Sequence, residues 1–127
     1  TLYEPRIVSQ IRSYDGKVTP VPTKVIREKF VDSNILRIVR EGMRETVTEG
    51  TAQALADLPI EVAGKTGTAQ FGNESKTHGW FVSFAPYEAP ELALVVLVEG
   101  QGEEGYNAVP VTKDVYSWYF GREKKEE

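Results

Sequence analysis

Residues Ile60-Glu61-Val62-Ala63-Gly64-Lys65-Thr66-Gly67-Thr68-Ala69-Gln70 are rich in Val, Thr, Ala and Gly, a composition suited to the pleated, half-buried surface of a strand. Beyond the polar turn residues Gly72, Asn73, Glu74, Ser75 and Lys76, Trp80, Val82 and Phe84 alternate with Phe81, Ser83 and Ala85 until Pro86. That period of two marks a second strand. A third, Leu92 to Val98, is apolar on both faces and is expected to be covered on both sides. The connections are short enough for antiparallel neighbours. Residues 60–98 thus read as three antiparallel strands, and the other segments arrange around them.

Upstream, residues 32–58 read as helices. Asp32 or Ser33 can cap the first. Ile35, Ile38, Val39, Met43 and Val47 recur at three- and four-residue spacing and form one apolar stripe. Arg37, Arg40, Glu41, Arg44 and Glu45 fill the opposite face, which is expected to be solvated surface with small ion-pair support. Gly50 ends this helix, and Thr51 to Leu58 reads as a shorter one stopped by Pro59. Residues 1–31 read as extended, with a hairpin at the turn dipeptide Asp15-Gly16. Pro20 and Pro22 deny ladder donors at two positions, so that hairpin is expected to lie at an edge or to be irregular. Pro110 is expected to open a terminal helix over 110–120, burying Val111, Val115, Trp118 and Tyr119, before a mixed-charge tail from Gly121 to Glu127. The expected fold class is α+β, an antiparallel sheet packed against helices.

Composition narrows the function. The 127 residues carry 15 Lys+Arg against 19 Asp+Glu, a net charge of −4, which argues against nucleic acid as a partner. Zero cysteines and one histidine, His78, exclude disulfides and thiol chemistry and make a transition-metal site improbable. No cofactor is expected. The longest apolar run, Leu92 to Val98, falls far short of the roughly 20 residues that span a bilayer, so no membrane segment is expected in this chain. The chain opens at Thr1 with neither a starting methionine nor a signal-peptide pattern, and it reads as an excised or processed piece.

Three motifs compete. Gly100 to Gly105 fits G-x-G-x-x-G, but Glu103 and Glu104 stand where a pyrophosphate needs N–H groups and positive potential, and no βαβ unit follows. It reads as a glycine-rich turn. Pro59 to Thr66 misses the phosphate loop by one residue, since proline replaces the first glycine and strand formers replace the cradle. The third is Lys65-Thr66-Gly67, continued by Thr68-Ala69-Gln70. A lysine gives a fixed positive charge for a carboxylate and a proton relay, and the threonines give hydroxyl donors. A backbone N–H can serve an oxyanion, and a glycine at a sheet edge lets a peptide lie alongside as an added strand.

Lys65-Thr66-Gly67-Thr68-Ala69-Gln70 followed by His78-Gly79-Trp80-Phe81-Val82-Ser83-Phe84-Ala85-Pro86 resembles the third active-site motif and next strand of penicillin-binding transpeptidases. The similarity extends upstream to Gly42-Met43, Val47 and Glu49-Gly50-Thr51-Ala52. Downstream it runs through Leu92 to Glu99 and Ala108-Val109-Pro110, so it covers about residues 25–120. It is most similar to the monofunctional, class B branch. The resemblance implies a serine β-lactamase/transpeptidase-like fold and a serine acyltransferase acting on the D-Ala-D-Ala end of a peptidoglycan stem peptide, with β-lactams as mimics. It implies catalytic roles for Lys65 and Thr68. It also implies a carboxylate- or β-lactam-binding set of Lys65, Thr66, Gly67 and Thr68, with the Thr68 N–H as one oxyanion donor. Strand alternation alone would put Lys65 and Thr66 on opposite faces.

The motifs S-x-x-K and S-x-N are absent: none of Ser9, Ser13, Ser33, Ser75, Ser83 or Ser117 has a lysine three residues later. The expectation is that residues 1–127 form the C-terminal portion of a transpeptidase domain, inactive alone. On that reading the parent protein works at the extracytoplasmic face of a bacterial membrane. The isolated chain would then expose apolar strand faces and self-associate or domain-swap. The alternative is a non-catalytic module of the same fold that binds carboxylates, peptides or a partner through the strand around Lys65.

Overall fold

A computed structural model describes residues 1–72, 76–101 and 108–122. The chain falls into two compact units, residues 1–37 and 38–127. The turn residues 73–75, most of the Gly100–Gly105 loop and the tail beyond residue 122 lie outside the described residues.

The first unit is built from short antiparallel pairs. β1 (Leu2–Tyr3) pairs with β4 (Val25–Arg27), and β2 (Gln10–Arg12) pairs with β3 (Val18–Pro20). The β2–β3 turn is closed by Ser13 N–H donating to the Lys17 carbonyl at 2.9 Å, with Gly16 at φ +84°. The Asp15 carboxylate accepts from the Ser13 hydroxyl at 2.6 Å and from the Lys17 N–H at 3.3 Å, which lowers its pKa. Pro20 occupies the last position of β3, opposite Gln10, in a two-stranded sheet where a missing ladder donor costs little.

Helix α1 spans Ser33–Thr48. Asp32 caps it: its carboxylate accepts the Asn34 N–H at 2.8 Å and its carbonyl the Leu36 N–H at 3.0 Å. Of the expected stripe, Val47 is buried, while Ile35, Ile38 and Val39 are exposed together with Leu36. The polar face is not simply solvated, contrary to expectation. Arg40 donates to the Tyr87 carbonyl and lies over the Phe84 and Tyr87 rings at 5.3 and 5.2 Å. Arg44 donates to the Val62 carbonyl at 3.1 Å and pairs with Glu61 at 3.3 Å. Guanidinium groups stack and fork in this way where ammonium groups cannot.

The expected second helix over Thr51–Leu58 is instead one 3-10 turn, Gln53–Leu55. Its bonds run from Leu55 N–H to Ala52 and from Ala56 N–H to Gln53. A stretch this short cannot offset helix nucleation, and it serves to bury Ala52 and Leu55.

The sheet of the second unit has the order β5-β6-β7, with β5 at Ala63–Phe71, β6 at Lys76–Ala85 and β7 at Leu92–Gln101. Both pairings are antiparallel. β6 and β7 extend beyond the expected residues 80–85 and 92–98, whereas β5 begins at Ala63, three residues later than the expected start at Ile60. On one side of the sheet Phe81, Ser83 and Ala85 are buried, opposite Thr66, Gly64 and the half-buried Val96, Leu94 and Leu92. On the other side Trp80, Val82, Val95 and Leu97 are exposed, Val95 at 63%. β7 is therefore covered on one face only, not on both.

Helix α2 (Ala108–Arg122) starts two residues before Pro110, which sits in the first turn where its missing N–H costs nothing. Its buried residues are Ala108, Val109, Thr112, Tyr116 and Phe120, whereas Val111 and Trp118 are exposed. Of the expected face, Val115 and Tyr119 are half-buried and Tyr119 packs against the core, while the centre of the buried stripe lies one residue, about a quarter turn, from Val111 and Trp118. The reason is Thr112: a polar residue holds a core position because its hydroxyl donates to the Ala108 carbonyl at 2.9 Å. The core joins Val47, Ala52, Leu55, Val62, Phe81 and Ala85 to this helix. Lys113 bonds the Asp57 carboxylate at 2.8 Å and lowers its pKa. No described helix is long and apolar enough to cross a membrane.

One buried polar pair pins α2 to the sheet: the Ser83 and Tyr116 hydroxyls lie 3.0 Å apart. Burial raises the Tyr116 pKa above 10.0, with the Ser83 bond opposing. The neutral phenol is thus the form the fold favours. Its contribution is complete below pH 10.0 and is lost as pH rises through the higher folded value. Tyr116→Phe should cost about 1–3 kcal/mol by leaving Ser83 unpaired. It should also abolish the tyrosine-linked loss of stability above pH 10.0; urea melts of both proteins at pH 8 and in alkali test this.

Candidate functional site

Among the described residues β5 pairs only with β6, which makes it an edge strand. Its register sets Lys65 opposite Val82, Thr66 opposite Phe81, Gly67 opposite Trp80 and Thr68 opposite Gly79. Lys65 and Gly67 therefore share the open side of the sheet with Trp80 and Val82, while Thr66 and Thr68 share the side of Phe81. Lys65 and Thr68 are exposed, and Thr66 and Gly67 half-buried.

The separation is smaller than alternation implies. The Lys65 ammonium donates to the Thr66 carbonyl at 2.6 Å, so the charge folds back onto its own strand. Backbone groups of alternate residues in an antiparallel strand point the same way. The Thr68 N–H and carbonyl therefore share the direction of the Thr66 groups. A positive charge and backbone groups are gathered within four consecutive residues, Lys65 to Thr68.

Thr66 has a partner the sequence reading did not assign. Its hydroxyl lies 2.9 Å from that of Thr51, which follows α1. Thr51 entered the sequence comparison only as part of Gly50-Thr51-Ala52. No local pattern shows that it reaches β5, because the contact depends on how the 51–58 segment folds back. Among the described residues no cluster of three or more His, Asp or Glu is placed to hold a metal.

The two glycines of β5 differ. A Cβ at Gly64 would stand 2.4 Å from Phe81 Cζ and 2.9 Å from the Val82 carbonyl oxygen. At Gly67 the nearest atom would be Trp80 Cβ at 3.5 Å, an ordinary contact, and φ there is not positive. The chain's own packing needs glycine at 64 and does not need it at 67.

The family model for the penicillin binding protein transpeptidase domain matches residues 1–117. Peptidoglycan D,D-transpeptidase MrdA of Haemophilus influenzae is 33% identical over 100 residues, covering 65% of this chain and 15% of its own length. Peptidoglycan D,D-transpeptidase PbpA of Mycobacterium tuberculosis is 36% identical over 76 residues, covering 53% of this chain and 16% of its own. Among solved structures, penicillin-binding protein A from M. tuberculosis, an imipenem acyl-enzyme complex, gives a TM-score of 0.75 at 27% identity. That match covers 89% of this chain and 25% of the other. The complex between PBP2 and MreC from Helicobacter pylori gives 0.61 at 29% identity, covering 80% and 20%. The chain thus spans 15% of the length of the first curated relatives it matches.

The glycine geometry sets two opposite expectations. Gly64→Ala should destabilise the chain by about 1–3 kcal/mol through overpacking. Gly67→Ala should leave stability equal or raise it by about 0.5–1 kcal/mol, because alanine loses less backbone entropy in a strand. Urea midpoints of the two variants check both.

Proposed function

The chain belongs to the penicillin-binding protein transpeptidase family, and we propose that β5 is its binding strand for the carboxylate of a D-Ala-D-Ala stem peptide or of a β-lactam. The observation that carries this reading is an edge strand with Lys65 and Thr68 exposed on it and a glycine between them that internal packing does not require. The substrate lies along the free edge as an added strand. Gly67 leaves clearance for its backbone. Lys65 supplies positive charge and assists proton transfer, and the Thr66 and Thr68 hydroxyls donate to the carboxylate. The Thr51 bond fixes the Thr66 rotamer, and a hydroxyl retains capacity for a second bond.

The covalent step needs a serine that these residues do not contain in an S-x-x-K context. Its Oγ bonds to the penultimate D-Ala carbonyl carbon while the C–N bond breaks. The terminal D-alanine leaves with its amine protonated, and an acceptor amine then displaces the serine. The tetrahedral oxyanion takes the Thr68 N–H, with a second donor from the serine-bearing segment. On this reading residues 1–127 are the C-terminal portion of the domain, inactive alone. The working site of the complete protein faces the extracytoplasmic side of the membrane, where peptidoglycan is cross-linked. The open side of the sheet, with Trp80, Val82, Val95 and Leu97 exposed, favours self-association of the chain by itself.

Penicillin should give no mass increase with the 127-residue chain. In the complete domain, Lys65→Ala should slow acylation by at least about a hundredfold, the scale of a lost electrostatic contact in an active site. Gly67→Ala should slow it without lowering stability. Wild-type acylation rates in both variants would refute the binding role of β5, and a complete domain that is not acylated at all would leave a non-catalytic module of the same fold. A monodisperse monomer in solution scattering of the 127-residue chain would refute self-association.

A further inference from the structure

His78 stands on β6 opposite Ala69, one pair beyond Thr68 and Gly79. It makes two contacts on opposite sides of its strand. Toward β5 its ring lies flat on Phe71, with centroids 4.0 Å apart and planes within 2°. Toward β7 its Nδ1 accepts the Gly100 N–H at 3.3 Å. The β6–β7 ladder changes register at this point: Thr77 pairs with Gln101 and Gly79 with Val98. Glu99 and Gly100 therefore both stand opposite His78, two residues against one, which is the count of a β-bulge. Gly100 has φ +68°, a conformation glycine adopts without steric cost.

An N–H that donates to Nδ1 requires a lone pair there, so the ring proton resides on Nε2. A protonated ring, or the other tautomer, would set one donor against another. The bulge and the tautomer thus specify each other. Phe71 closes the described part of β5, an edge strand whose end has no strand neighbour on its far side among the described residues.

We propose that His78 is a positioning residue for the Lys65–Thr68 strand: its neutral, Nε2-protonated ring clamps the ends of β5 and β7 across β6 and so holds Thr68 in register. The proposal rests on the reading that β5 receives the substrate carboxylate. Through Phe71 the clamp resists fraying of β5 toward Thr68, and through Gly100 it fixes where the bulge sits. A misplaced oxyanion donor or carboxylate ligand slows acylation even when the fold is intact.

The test separates ring from acceptor in the complete transpeptidase domain, with acylation by a fluorescent penicillin as the rate. His78→Phe keeps a stacking ring and loses the acceptor, and it should slow acylation about tenfold. His78→Asn places a carbonyl oxygen near the Nδ1 position and should recover the rate to within about threefold, the remainder reflecting the lost stack. Wild-type rates in His78→Phe, or no recovery in His78→Asn, would overturn the clamp. Lys65→Ala is the control for the underlying reading: if it acylates normally, that reading fails whatever His78 does. Should His78→Phe not fold, the wild-type ring decides. His78 is the only histidine of the sequence, so its imidazole nitrogen resonances in the 127-residue chain at pH 8 are unambiguous. A proton on Nδ1 overturns the proposal, and a pyridine-like, hydrogen-bonded Nδ1 supports it.

Discussion

The close approach of Phe81 to the backbone of β5 at Gly64 governs the second unit. The ring is fully buried, and the space it fills is the space a side chain at 64 would need. Because side chains alternate along a strand, this one contact decides which way every neighbour points. Phe81 inward requires Val82 and Trp80 outward, and opposite them Lys65 and Gly67 outward as well. A slip of one residue would bury the Lys65 ammonium without a partner, which costs far more than any packing it could gain. The core thus fixes the register, and the register fixes the site.

Much of this architecture was legible because period and punctuation agree. The alternation of Trp80, Val82 and Phe84 with Phe81, Ser83 and Ala85 is a strand whatever surrounds it, and chemistry places a cap at Asp32 or Ser33, of which Asp32 fills the role. Reading failed where a residue's environment comes from distant chain. Thr112 hid the buried stripe of α2, since nothing local shows that its hydroxyl would be satisfied within the helix. Arg40 and Arg44 looked like solvated charges, yet aromatic rings and backbone carbonyls far along the chain receive them. The 51–58 segment had helical composition but too little length to nucleate.

The candidate site divides in the same way. Lys65, Thr66, Gly67 and Thr68 read as a carboxylate-binding pattern because their chemistry is carried by adjacent residues, and the proposed role of β5 rests on that reading. Their distant contacts were not: Thr51 bonds Thr66 across 15 residues and His78 accepts from Gly100 across 22. Alternation implied that Lys65 and Thr66 diverge, and so their side chains do. The ammonium returns to the strand through a backbone carbonyl, a route side-chain patterns do not display.

The contrast between Gly64 and Gly67 reaches beyond binding. Folding alone constrains the first and is indifferent to the second. In a lineage that kept the fold and abandoned the chemistry, position 64 would stay glycine while position 67 drifted toward residues with side chains. The two positions form an internal clock: one records whether the sheet still has to assemble, the other whether anything still has to lie against it.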